Sequence, residues 1–167
     1  MNKDINEISV YASQAKTFLK AAWRLLDRQP VPNHNCGAFI FFPTQAIMLT
    51  AFSIELSMKG LIFFLNEKKS IRTHDLLKLF NQIDESVRNK IIEEIVDNND
   101  LFDDKKNLFM EQIEKSRNAF ERMRYVYELA NEGDSDNLRF LDNLAQVCNK
   151  FLEEYLKKDR GLANERY

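Results

Sequence analysis

The sequence predicts an all-α fold, an up-and-down bundle of four long helices plus one or two short ones. Three observations carry that prediction. Only four glycines and three prolines punctuate 167 residues, so long segments run without a helix breaker. Apolar residues recur at three- and four-residue steps, the period of one helical face. Alternating runs rich in β-branched residues, the mark of half-buried strands, are scarce.

The first helix is expected from about Asn6 to Asp27, with Ile8, Tyr11, Ala15, Phe18, Ala22, Leu25 and Leu26 on its apolar face and Lys16, Lys20 and Arg24 opposite. Pro30 and Pro32 stop it, and residues 28–42 form a connection longer than the usual helix–helix loop. The end of that connection, Ala38 to Phe42, is too apolar to lie free in water. Pro43 suits a first helical position, so the second helix runs from there to about Asn66. It is apolar almost all round, which marks the central helix of a bundle. After a charged turn from Glu67 to Arg72, Thr73 is the expected cap of a short helix ending near Ile83. Asp84 caps the next, Glu85 to about Asp97, with Val87, Ile91, Ile92 and Ile95 as its stripe. A long fifth helix is expected from about Asp104 to Ala130, burying Phe109, Ile113, Phe120, Met123 and Tyr127. The loop Asn131 to Asp136 leads to a last helix, about Asn137 to Lys158.

This length fits one domain over residues 1–167, with its core in about 5–158 and a polar tail over 159–167. Twenty-four Lys and Arg against 26 Asp and Glu give a net charge of −2. That balance excludes a globally basic surface for nucleic acid or anionic membrane, so any basic site is local. Cys36 and Cys148 have no paired spacing and read as reduced thiols. The polar N-terminus has no apolar signal segment, which points to the cytoplasm. Ala38 to Ile54 carries no charge, but Pro43 interrupts it and Glu55 ends it, so it reads as a bundle helix and not a membrane span.

Within that apolar second helix, Glu55 and Lys59 lie four residues apart. A carboxylate inside a bundle needs a cation, because stranding it costs several kcal/mol. The polar face of the fifth helix offers one. Arg117, Glu121, Arg124, Tyr125 and Glu128 fall on one stripe there, and Arg117 or Arg124 is the expected partner of Glu55. The plain alternative for the stripe is a solvated face of Glu–Arg pairs worth tenths of a kcal/mol each. His74, just after Thr73, is either part of a helix start or a catalytic imidazole. His34 near Cys36 is a weaker candidate. No phosphate-binding glycine loop, zinc-protease motif or serine-hydrolase motif is present, so no cofactor and no metal are expected.

Three segments taken in order, Phe52-Ser-Ile-Glu-Leu-Ser-Met-Lys-Gly-Leu61, Thr73-His-Asp-Leu-Leu-Lys-Leu79 and Arg117-Asn-Ala-Phe-Glu-Arg-Met-Arg-Tyr-Val-Tyr-Glu128, resemble the HEPN superfamily. These are small helical-bundle proteins of prokaryotic toxin, defence and RNA-processing systems. The resemblance implies a homodimer whose long helices meet at a polar cleft. It also implies a metal-independent endoribonuclease motif, an arginine followed after four to six residues by a histidine. Arg117 and Asn118 match the start of that motif, but the histidine slots hold Arg122, Met123 and Arg124. Arginine stays protonated and is no general base.

The resemblance therefore implies a dimer that engages RNA or a nucleotide-bearing partner in a toxin–antitoxin or defence context, with ribonuclease activity absent or atypical. An antitoxin or a nucleotidyltransferase is the partner it suggests. On that reading Arg117 and Arg124 contact phosphate, His74 is a candidate catalytic group, and Asn118, Glu121, Tyr125 and Glu128 line the binding face. The alternative is a non-catalytic module for dimerisation or protein interaction, in which the stripe and the Glu55–Lys59 pair are a structural ion network.

Overall fold

The computed structural model describes residues 2–27, 29–30, 39–40, 42–66, 72–97, 105–124 and 138–159. They form an all-α bundle. In chain order the helices are α1 (Asn2–Leu26), α2 (Pro43–Asn66), α3 (Leu76–Phe80), α4 (Glu85–Asp97), α5 (Lys105–Lys115), α6 (Ala119–Arg124) and α7 (Leu138–Asp159). Between α1 and α2, β1 (Gln29–Pro30) and β2 (Phe39–Ile40) make a two-residue antiparallel ladder. The helical periodicity did not announce that ladder. It brings the two ends of the long connection together, and the Phe42 N–H donates to the Leu25 carbonyl at 3.0 Å.

The apolar α2 lies at the centre, packed by α1, α3, α6 and α7. It is long and apolar enough to cross a membrane by composition, and 61 % of its most apolar window is buried inside the bundle. Against it α1 buries Ile8, Ala12, Ala15, Leu19 and Ala22, a stripe at steps of four, three, four and three. Ala15 and Ala22 are the fully buried residues of this face, while Tyr11 and Phe18, expected on it, sit half-buried at its edges. The reason is size: alanines let two helix axes approach closely, and the rings fit only beside the contact.

A polar link crosses three helices inside this apolar contact. The Ser53 hydroxyl donates to the Ala15 carbonyl at 2.7 Å, and the Asn149 side-chain amide donates to Ser53 Oγ at 3.0 Å and to the Ala145 carbonyl at 2.8 Å. All of these groups are buried, so each bond removes an unmet polar group and fixes the register of α1, α2 and α7. The remaining elements follow the apolar pattern. Val87, Ile91, Ile92 and Ile95 of α4 are buried, as are Leu141, Leu144, Cys148 and Leu152 of α7. Each such aliphatic side chain stabilises the fold by about 1.5–3 kcal/mol relative to exposure. Asp84 does begin α4, accepting from the Ser86 N–H at 2.9 Å.

The expected fifth helix is two helices. Phe109 and Ile113 are buried as anticipated, but α5 stops at Lys115, residues 116–118 turn, and α6 starts at Ala119. The Arg117 N–H reaches back only three residues, to the Glu114 carbonyl at 3.3 Å, and the helix restarts with Arg122 N–H to Asn118 carbonyl at 2.9 Å. The cause is tertiary. The Arg117 carbonyl turns out of the helix to accept from the Leu76 N–H at 2.8 Å, supplying a first-turn donor of α3 that no intrahelical acceptor can reach.

Gly60 of α2 packs tightly against Leu152 of α7 and Tyr11 of α1. A Cβ there would lie 2.7 Å from Leu152 Cδ2 and 3.1 Å from Tyr11 Cβ. Leu152 is fully buried, so its methyl groups can make room only by shifting within the packed core. Gly60→Ala gains about 1 kcal/mol of helix propensity but overpacks this contact at a cost of about 1–3 kcal/mol. The expected outcome is a net loss of stability, read as a melting temperature lowered by about 2–4 °C for every kcal/mol of that loss.

Candidate functional site

The site is built outward from Glu55. Its side chain is buried on α2, and both carboxylate oxygens are occupied. Lys59, one turn on, donates to Oε1 at 2.6 Å. His74 Nδ1 lies 2.9 Å from Oε2. The expected link from Glu55 to Arg117 does not form, because Arg117 is engaged by Asp75 and Glu114, and the side chain of Arg124, the other expected partner, lies outside the described residues. The carboxylate meets its cation on its own helix and takes its second partner from the turn before α3, because that turn lies directly over it.

The imidazole is held on its face as well. His74 stacks on Phe120 with ring centroids 5.0 Å apart and an interplanar angle of 30°. Phe120 stacks on Phe52 at 5.1 Å, and Phe18 meets Phe52 edge-on at 4.8 Å. An aromatic column thus runs from α1 through α2 and α6 to the histidine.

Asp75, the next residue, caps α3. Its Oδ1 accepts from the Lys78 N–H at 3.0 Å, while Thr73, the expected cap, instead accepts from the Asp75 N–H at 3.1 Å. Both residues suit helix starts, but only Asp75 has the extended backbone immediately before the first helical residue. Its other oxygen, Oδ2, accepts from Arg117 Nε at 3.1 Å and Nη2 at 2.6 Å. Arg117 Nη1 donates to Glu114 at 2.7 Å. Arg117 is thus clasped between two carboxylates, and the hydrogen bonds it donates to Asp75 and Glu114 hold its pKa above the ordinary guanidinium value.

These residues wall a groove of about 460 Å³ lined by Arg72, Thr73, His74, Asp75, Lys78, Arg117, Asn118 and Glu121. Four of the residues singled out from sequence therefore meet here: His74, Arg117, Asn118 and Glu121. Glu55 and Lys59 lie behind the imidazole. Arg124 is the last residue of α6; its side chain, Tyr125 and Glu128 lie outside the described residues, as do His34 and Cys36. The stripe drawn from Arg117 onward is broken at its start, because Arg117 and Asn118 belong to the turn and Glu121 to α6. Cys148 is a free, buried thiol whose pKa burial pushes well up, so it is chemically quiet.

Arg72, Asp75 and Lys78 were absent from the sequence-based site. A signal existed for Asp75, an aspartate three residues before Lys78 at a helix start. Arg72 read only as part of a charged turn. With three cations (Arg72, Lys78, Arg117) against two carboxylates (Asp75, Glu121), the groove lining carries a net positive charge of one before His74 is counted. Arg72 is exposed and has no carboxylate partner among the described residues, and Lys78 lies 3.7 Å from Asp75 with its side chain 60 % exposed. Such an arrangement suits an anion of phosphate type. No cluster of three or more His, Cys, Asp or Glu side chains able to hold a metal occurs among the described residues.

Asp75 makes the site pH-sensitive in a defined direction. Burial works to raise its pKa, but the Arg117 and Lys78 hydrogen bonds and charges outweigh burial and hold it below its ordinary value of 3.8. The folded pKa is depressed, so the stabilisation is fully present above the unfolded value and disappears as pH falls through the folded one. Asp75→Asn is expected to flatten the loss of stability below about pH 4, measured by thermal melts across pH. Asp75→Ala also removes the cap and is expected to lower stability by about 1 kcal/mol at neutral pH.

No protein-family model, curated protein or solved structure matches the chain.

Proposed function

We propose that this chain is a HEPN-like homodimeric protein that engages RNA, or the phosphates of a nucleotide-bearing partner, in a toxin–antitoxin or defence setting. One observation carries the reading. The groove brings His74 from the turn before α3 beside Arg117 and Asn118 from the α5–α6 turn, with Arg72 and Lys78 on its rim. Of those residues, His74, Lys78, Arg117 and Asn118 come from two of the three segments on which the resemblance rests, and Glu55 and Lys59 of the third stand directly behind the imidazole. The cations are local, as a net charge of −2 demands. They suit a phosphate backbone, to which lysines and arginines bind by charge and counterion release.

A second reading has one observation in its favour. Arg117, the residue expected to clamp phosphate, is engaged by Asp75 and Glu114 and its backbone carbonyl braces α3. Those are the bonds of a structural residue, as in a non-catalytic dimerisation or protein-interaction module.

RNA binding at low salt separates the two. Under the RNA reading, a fluorescent single-stranded RNA binds at low ionic strength, and the Arg72→Ala, Lys78→Ala double variant binds more weakly. The slope of log K against log salt also becomes shallower by about 1.4, about 0.7 for each cation removed. Absence of binding by the wild-type protein at low salt discards the RNA reading in favour of the module.

A further inference from the structure

His74 ends an aromatic column. Phe52 of α2 stacks on Phe120 of α6, and Phe120 stacks on the imidazole with ring centroids 5.0 Å apart and 30° between the planes. The ring is held on a second side as well. Its Nδ1 meets Glu55 Oε2 at 2.9 Å, and Lys59 occupies the other oxygen of that buried carboxylate at 2.6 Å. One face and the Nδ1 edge are therefore covered, yet the His74 side chain is 43 % exposed and lines the groove. What remains to make that exposure is the opposite face and the edge carrying Nε2. A ring already backed and tethered loses little freedom when a ligand arrives, so this face is a ready platform for another flat ring. Charge surrounds the platform. Arg72 and Lys78 are exposed, Arg117 is held in place by Asp75, and Asn118 presents an exposed amide on the same wall. The groove volume of about 460 Å³ falls in the range of about 300–1,000 Å³ that suits a small-molecule ligand.

We propose that the open face of His74 is a stacking subsite for the planar ring of an aromatic phosphate, with the phosphate lying on Arg72 and Lys78. The subsite rests on the phosphate reading of the groove given above and adds the uncharged half of the ligand to it. Two kinds of molecule share this chemistry, a nucleoside phosphate and a phosphorylated aromatic side chain. In either, the ring lies flat on the imidazole and extends the column that Phe52 and Phe120 begin, while the cations hold the phosphate by charge-assisted hydrogen bonds. A stack of this kind reads a π-face and tolerates differences between one ring and another. It makes no demand on a sugar or its hydroxyls. His74 is here a contact surface for ligand, and Glu55 and Phe120 set the plane in which that surface is offered.

The test titrates the full-length protein at low salt with AMP, O-phosphotyrosine, ribose 5-phosphate and inorganic phosphate. Calorimetry gives the affinities, and NMR follows the ring protons of His74, assigned by their absence from the His74→Ala spectrum. AMP, O-phosphotyrosine or both are expected to bind about fivefold or more tightly than ribose 5-phosphate. The same ligands are expected to move the His74 ring protons upfield, as a stacked ring does and a phosphate alone does not. Which of the two does so names the source of the ligand. His74→Ala, with helical circular dichroism retained, is expected to bind the aromatic ligands no more tightly than ribose 5-phosphate. Because His74 also partners Glu55, a variant that fails to fold leaves the wild-type shift as the deciding measurement. Ribose 5-phosphate binding as tightly as both aromatic ligands, or aromatic ligands bound with no upfield shift, overturns the stack and leaves the phosphate reading standing. Binding of RNA but of none of the four small ligands overturns the subsite alone. Binding of neither RNA nor any of the four overturns both.

Discussion

The arrangement of this molecule around its groove follows from one constraint, the carboxylate of Glu55 buried on the central helix. An unpaired charge there would cost several kcal/mol, and the carboxylate presents two oxygens to be satisfied. Lys59 reaches only one of them from its own helix. The other needs a donor from elsewhere, and His74 supplies it, seating residues 72–75 on α2. Once His74 is seated, Asp75 is placed to cap α3 and to receive Arg117. Arg117 in turn contributes its carbonyl to the Leu76 N–H. The interruption between α5 and α6 is the far end of this sequence of dependencies.

The same chain of contacts explains what the sequence disclosed and what it hid. The bounds of α2, Pro43 to Asn66, were legible to the residue because a proline opens it and a run of charged residues follows it in the sequence. The buried stripe of α4 was legible for a similar reason, being written in a local period of apolar residues. The break after Lys115 was not. Ser116, Arg117 and Asn118 include neither glycine nor proline, and the force that opens the helix is a hydrogen bond to a residue 41 positions earlier. The partner of Glu55 was half legible. Burial showed that a cation was needed and the four-residue spacing set Lys59 beside Glu55, but the partner expected was Arg117 or Arg124, and nothing local pointed to His74. Only the path of the turn decides between them.

On the face of α1 the correction is one of volume. Sequence periodicity does not weigh side-chain size, so Tyr11 and Phe18 read as members of the apolar face equal to Ala15 and Ala22. The close approach of α1 to α2, enforced by Ala15 beneath the Ser53 hydroxyl, leaves room there only for small or slender side chains. Phe18 then becomes the outer end of the aromatic column that terminates at His74. A packing decision on the first helix is thereby connected to the orientation of the imidazole at the groove.

The two ion pairs of Arg117 differ in what an arriving anion would have to overcome. Asp75 is buried, caps α3 and receives two of the guanidinium's donors, so that pair is bound up with the local backbone. Glu114 is 53 % exposed at its side chain and lies three residues from Arg117 in sequence. Exposed pairs of that kind contribute little and are screened by salt. For a phosphate entering the groove, exchange at Nη1 in place of Glu114 leaves the Asp75 contacts intact. The structural role of Arg117 and the phosphate contact proposed for it are therefore compatible, divided between the two sides of one guanidinium. On the RNA reading, Arg72 and Lys78 meet the phosphate first and Arg117 contributes one donor after Glu114 has swung away.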